Sequence, residues 1–321
     1  MSLLTTQHRL VASPFESHLE NFANTAKLNL RTIQARIGDK HLSAGSRSEL
    51  RSQIAHEIYL QYHVQNPHLA DEPTTGYQDY AQNFIDEIRQ PTIWQRVDKS
   101  INGSSKTVNG QVHATVQLGG VKVLVPWDDV AVQSSDGLAT VRMPSWRART
   151  TPGYLLAIGG KGVQDSRNAT RFYIASDSAE QALSRWGHLQ DMLETHASGF
   201  HIKVLSSSAA YPRSDSIVVY VPNMDRPRVE QELQSMFWGN ATVSCPTSIF
   251  SRTIGPGIAI AMEPADRRTE YARLSFGQHR SRILTDSLID AHDQRISIKE
   301  AWANQAALAC INSEHPSENY V

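Results

Sequence analysis

One change of rhythm constrains this chain more than any other feature. Up to about residue 100 its apolar residues recur at three- and four-residue spacing, and beyond about residue 110 they alternate. Leu28, Leu30, Ile33 and Ile37 share one side of an expected helix, and Leu50, Ile54, Ile58 and His63 mark the inner side of a second over 46–62. A loop at 71–76 and a further helix over 80–88, stopped near Pro91, complete this part. Then Val112, Ala114, Val116 and Leu118 alternate with polar partners, Gly119-Gly120 intervenes, and Val121, Val123 and Val125 resume the alternation, which is a hairpin pattern. Further strands are predicted at 138–143, 154–158, 171–175, 200–205 and 217–221, and a helix over 178–197 carries Ala182, Trp186, Leu189 and Leu193 on one side. Helices over 227–237, 279–291 and 298–311 follow, and the polar tail from Ser313 is expected to fray. The order implies α+β: a helical N-terminal section, 1–100, then a mixed, mainly antiparallel sheet packed with helices, 101–321, with the boundary in the loop 91–105.

Charge and cysteine content exclude several classes. The 31 basic and 32 acidic residues leave a net charge of -1, so no global field draws the chain to nucleic acid or an acidic membrane. Cys245 and Cys310 make neither a disulfide framework nor a zinc site; both read as buried small apolar residues in a reducing cytoplasm. The 13 histidines are scattered, so no metal and no cofactor is expected. His8 and Arg9 are followed by no apolar run, which is not a secretory signal, and no stretch approaches the roughly 20 apolar residues of a membrane helix.

Several motifs are near misses. Gly159-Gly160-Lys161-Gly162 lacks the spacing and the Ser or Thr of a phosphate loop and reads as a turn. Position six after Cys245 is Ser251, with Arg252 one residue later, so a cysteine phosphatase loop fails. Three stretches carry more. In 200–205, alternation puts His201, Lys203 and Leu205 on one face, either a solvent-facing side or a site where a lysine acts as base. Arg213 and Asp215 stand two apart before an apolar strand, so Arg213 either binds a phosphate or pairs with Asp215. Finally, Gly255-Pro256-Gly257, Glu263-Pro264 and Ser275-Phe276-Gly277-Gln278-His279-Arg280 lead into a helix whose start carries His279 and Arg280, an anion site or a solvated helix end.

Together with Arg171-Phe172-Tyr173, Lys203-Val204-Leu205 and Tyr211-x-Arg213-x-Asp215, these elements resemble the HopA-type effector family over about 151–291, and 58–63 (Ile-Tyr-Leu-Gln-Tyr-His) is similar to its N-terminal signature. Some members of that family are type III effectors of plant pathogens. Others serve in the biosynthesis of ribosomally made peptides such as class V lanthipeptides. The resemblance implies a phosphoserine or phosphothreonine lyase, metal-independent, that expels phosphate from a precursor peptide phosphorylated by a separate kinase-like protein. By analogy with phosphothreonine lyases, Lys203 is the expected base, with His279 or His201 as acid. Arg213, Arg280 and Arg171 are expected to hold phosphate, Tyr211 or Tyr220 to orient it, and Asp215 to position Arg213. The setting implied is cytoplasmic, or a host cell for an effector. The rival expectation is a non-catalytic effector or peptide-binding protein; a lyase requires Lys203, Arg213, His279 and Arg280 to converge on one basic pocket.

Overall fold

The computed structural model describes residues 14–69, 78–98, 105–118, 120–132, 139–151, 153–162, 169–237 and 244–320. The loop expected at 71–76, Gly119 of the hairpin turn, residues 99–104 of the expected boundary loop and the first ten residues lie outside them. In chain order the elements are α1 (Pro14–Thr25), β1 (Lys27–Asn29), β2 (Gln34–Ile37), β3 (Lys40–Ser43), α2 (Arg47–Ile58) running into a π-helical turn (Tyr59–Val64), and α3 (Ala81–Asp86). Next come β4 (Thr92–Arg96), β5 (Ser105–Val108), β6 (Gln111–Leu118), β7 (Val121–Pro126), β8 (Val130–Val132), β9 (Ala139–Pro144), β10 (Trp146–Thr151) and β11 (Tyr154–Ile158). The rest is β12 (Ala169–Ser176), α4 (Ala179–His196), β13 (His201–Leu205), β14 (Arg213–Pro222), α5 (Arg226–Phe237), β15 (Arg252–Gly255), β16 (Ile258–Met262), α6 (Phe276–Gln294) and α7 (Ile298–Leu308).

A seven-stranded antiparallel sheet, ordered β10-β11-β13-β14-β12-β16-β15, forms the centre and is covered on both sides. Alternation decides what goes where. Phe172 and Ile174 of β12, Ile202 and Val204 of β13, and Ile217 and Val219 of β14 face α3, α4 and α5. On α4, Ala182, Trp186, Leu189 and Leu193 meet them, and Ser178 caps the helix by accepting from the Gln181 N–H. Tyr173, Val218, Ala259 and Ala261 take the opposite face and pack against α1, α2, α6 and α7. Each fully buried Leu, Ile or Phe in these layers contributes about 1.5–3 kcal/mol. Two three-stranded sheets, β4-β9-β8 and β5-β6-β7, share a smaller core around Val97, Ala114, Val116 and Val141.

The α+β class is as expected, and the hairpin and later helices fall close to their predicted places. Three expectations change. The segment from Leu28 to Ile37 is not helical: β1, β2 and β3 form a meander there. The Asn29 side chain accepts from the N–H groups of Arg31 and Thr32, fixing a turn, and Ile33 sits at φ 53. Cys245 is buried as expected, but Cys310 is exposed, at φ 55 just beyond α7. The tail does not fray. Ile311 bridges Asn319, the Ser317 carbonyl accepts from the Met262 N–H at 2.8 Å, and Asn319 Nδ2 donates to the Glu263 carbonyl at 2.7 Å. Among the described residues, no helix is long and apolar enough to cross a membrane.

Candidate functional site

Strand register assembles one side of the site. Tyr220 of β14 lies opposite His201 of β13 on one flank and opposite Arg171 of β12 on the other. Lys203 follows His201 by two residues and so shares its face. The His201 ring stacks on Tyr220 at 4.2 Å and 17°. Cations and tyrosine rings then alternate across the sheet. Arg171 lies 5.1 Å from the Tyr220 ring, Lys203 Nζ is 5.8 Å from the same ring and 4.7 Å from that of Tyr154, and Arg213 is 5.8 Å from Tyr154. Among the described residues Lys203 makes no hydrogen bond or ion pair with a side chain. Its amine borders an open pocket of about 420 Å³ lined also by Arg171, Tyr220, Glu263, Asp266 and Arg273.

Arg213 and Asp215 resolve in favour of pairing. A register shift between Ile174 and Ser176 of β12 lets β14 turn both side chains toward the π-helical turn. Arg213 gives Nε and Nη2 to the two Asp215 oxygens at 2.7 and 2.9 Å, and Nη2 also donates to the Tyr59 hydroxyl at 3.0 Å. Burial raises the Asp215 carboxyl, but Arg213 outweighs it and holds the group well below the ordinary carboxylate range. Both Asp215 oxygens are taken by Arg213, and the pair is buried and does not line the pocket. Beside it His63 faces Ser248 Oγ at 2.9 Å through Nδ1, with Nε2 3.9 Å from Asp215. This Ser-His-Asp line is a structural post: Ser248 Oγ already accepts from the Phe250 N–H, and Arg213 takes both Asp215 oxygens. Burial pulls His63 down to about 4. The post bears on α6, where a Cβ at Gly277 would lie 2.0 Å from His63 Cδ2, so only glycine lets the helix start approach.

α6 opens with a capping box between Ser275 and Gln278, which places His279 and Arg280 in the second turn. Neither is a solvated helix end, and neither lines the pocket; both are buried. Arg280 donates from Nη1 to His279 Nδ1 at 2.7 Å, so Nε2–H of His279 donates to Asp266 Oδ2 at 3.0 Å. Arg268 also donates to Asp266, and although burial raises that carboxyl, these bonds bring it to about 2. Arg280 Nε donates to the Pro316 carbonyl of the tail at 2.8 Å. Burial and Arg280 bring His279 to about 4, and burial with Arg171 and Lys203 brings His201 to about 4. Both imidazoles are neutral at pH 7, a poor state for a proton donor.

Of the residues singled out from sequence, Lys203, Arg171 and Tyr220 meet at the pocket, and His201 backs Tyr220. Tyr211 is on the other side of the sheet: it packs in the α4 core and its hydroxyl donates to the Leu205 carbonyl at 2.7 Å. Sequence reasoning missed Tyr154, Tyr173, Asp266 and the role of Glu263, which accepts both Nε and Nη2 of Arg171. Tyr173 stood within the Arg171-Phe172-Tyr173 motif, and period-two alternation from Arg171 would have placed it on the site face.

The fold and site define an α+β protein with a basic, tyrosine-lined pocket at the mouth of its central sheet. The profile of the HopA1 effector protein family matches residues 145–317, and the chain belongs to that family. Two solved structures are similar, both effector proteins of Pseudomonas syringae. That of pathovar tomato strain DC3000 is 15% identical over 52% of this chain and 63% of that one, with a TM-score of 0.38. That of pathovar syringae strain 61 is 12% identical over 98% of this chain and 100% of that one, with a TM-score of 0.45. This chain thus spans under two thirds of the first structure's length. No curated protein matches the sequence.

Proposed function

We propose that this chain is a phosphoserine/phosphothreonine lyase that removes phosphate from a phosphorylated precursor peptide, leaving dehydroalanine or dehydrobutyrine, and that a separate kinase-like protein supplies the phosphorylated substrate in ribosomal-peptide biosynthesis. One observation carries the reading: the Lys203 amine, with no carboxylate bonded to it, opens into the same pocket as the Arg171 guanidinium. In the elimination, the Lys203 amine takes the Cα proton, the Cα–H electron pair becomes the Cα=Cβ bond, and the Cβ–O bond breaks with its electrons leaving on phosphate. Arg171 and Arg273 line the pocket with positive charge where the phosphate gathers negative charge, and the Tyr220 hydroxyl orients it. Side chains alone carry these steps.

A binding-only role has one observation in its favour. Arg213, His279 and Arg280, expected to converge with Lys203, are buried off the pocket lining and bonded within the fold, Arg280 through Nε and Nη1. The decisive experiment is mass spectrometry of phosphoserine and phosphothreonine peptides incubated with the protein and a chelator, with a candidate kinase and unphosphorylated precursor in parallel. Loss of phosphoric acid, abolished in a folded Lys203→Ala variant, supports the lyase. Phosphate loss with a hydroxyl regained means a phosphatase. No change with an active kinase present leaves the binding role.

A further inference from the structure

Two buried donors near Arg171 lack a partner at full hydrogen-bond geometry. Arg280 is 0% exposed, and while its Nε and Nη1 are bonded, its Nη2 is not. Tyr173, 4% exposed, has a hydroxyl beside the Arg171 guanidinium, which favours its ionised form, but with no partner at full hydrogen-bond geometry. Such atoms are rare inside proteins, because a buried donor without an acceptor forfeits the hydrogen bond that water would supply, and a charged one forfeits more. These two are neighbours. Both pack on the Phe276 ring, the Arg280 guanidinium at 4.7 Å and the Tyr173 ring at 5.9 Å between centroids. Arg171 precedes Tyr173 by two residues on the same sheet face and acts electrostatically on both. Its Nε and Nη2 hold Glu263, so Nη1 is the arm left for a further acceptor.

The charges point the same way. Asp266 is committed to Arg268 and His279, and Glu263 to Arg171, so no carboxylate among the described residues bonds Arg280. Burial and the field of Arg171 pull the Arg280 guanidinium down to about 9, against Tyr173, Asp266 and Glu263, which favour its charge without bonding it. What is missing is an acceptor with negative charge and more than one oxygen.

We infer that Arg280 Nη2 and the Tyr173 hydroxyl form the inner half of an oxyanion subsite whose outer half is Arg171, and that its ligand is a phosphate group entering from the pocket. The choice of phosphate rests on the lyase reading; the demand for an oxyanion does not. In that reaction the subsite receives the leaving phosphate, drawing it away from the Lys203 amine toward α6.

Tyr173→Phe tests this, since it deletes only a hydroxyl that has Arg171 beside it and no partner at full hydrogen-bond geometry, and keeps the ring against Phe276 and His63. Calorimetric titration with inorganic phosphate and, separately, with a phosphothreonine peptide should show binding to the wild type, weakened about tenfold or more in Tyr173→Phe. The melting temperature of the variant should stay level or rise. If phosphate affinity is unchanged in Tyr173→Phe, the hydroxyl serves structure or a buried water, and the inference is overturned. Absence of phosphate binding by the wild type at millimolar concentration overturns it as well. Binding of inorganic phosphate alone, without peptide binding or elimination, keeps the subsite and rejects the lyase.

Discussion

Lowering the pH from 7 to 5 should unload a measurable part of this fold through His63. The imidazole is 2% exposed, bonded to Ser248, edge-on to Tyr173 and pressed against Gly277. Asp215 favours its protonation; burial, Arg213, Lys203 and Arg171 oppose it and win, bringing the group from 6.5 to about 4. A folded-state pKa below the unfolded one means the native state binds fewer protons. The stability is therefore complete above about pH 6.5 and is lost as the pH falls toward 4. At pH 5 the unfolded imidazole has gained its proton and the folded one has not, a gap of about one and a half pH units, or about 2 kcal/mol. Against a total stability on the order of 5–15 kcal/mol this is large. Urea unfolding, followed by the fluorescence of buried Trp186 and Trp302, should show the loss between pH 7 and 5. His63→Gln isolates it: whatever the variant's stability at pH 7, its drop on acidification should be smaller than the wild type's by about 2 kcal/mol. Equal drops in the two proteins would refute the claim that His63 is held neutral in the fold.

Other perturbations follow from the same contacts. Gly277→Ala should lower stability by about 1–3 kcal/mol or more, by driving a Cβ into His63, and His63→Ala in the same chain should restore part of it, as a denaturation double-mutant cycle will show. Removing residues 313–321 should lower the melting temperature sharply, because Arg280, Met262 and Glu263 each lose a bond to the tail. Glu263→Gln removes the charge that holds Arg171 and should tighten inorganic phosphate binding several-fold in calorimetry. Tyr154→Leu, which deletes the ring 4.7 Å from Lys203 Nζ, should reduce elimination more than Tyr154→Phe, which keeps it.

What the sequence made legible was periodicity, and what it concealed was partnership. Period-two alternation was enough to put His201 and Lys203 on one face, and the register then supplied Tyr220 and Arg171 as their neighbours. Three- and four-residue spacing misread Leu28 to Ile37 as helix, because a side chain, Asn29, and not the apolar spacing decides the turn there. Charged residues were harder still. Arg213, Arg280 and Arg171 look alike as letters, but one is closed on a carboxylate two residues away. Another stands with an unbonded arm in the interior, and the third is shared between Glu263 and the pocket. Glu263 and the tail carbonyl of Pro316 reach the site from segments whose composition reads as loop and loose end. A base can be proposed from its strand position alone. The anion we propose for it comes into view only once every bonded cation has been set aside, which leaves the Lys203 amine, one guanidinium arm of Arg280 and the Tyr173 hydroxyl short of partners.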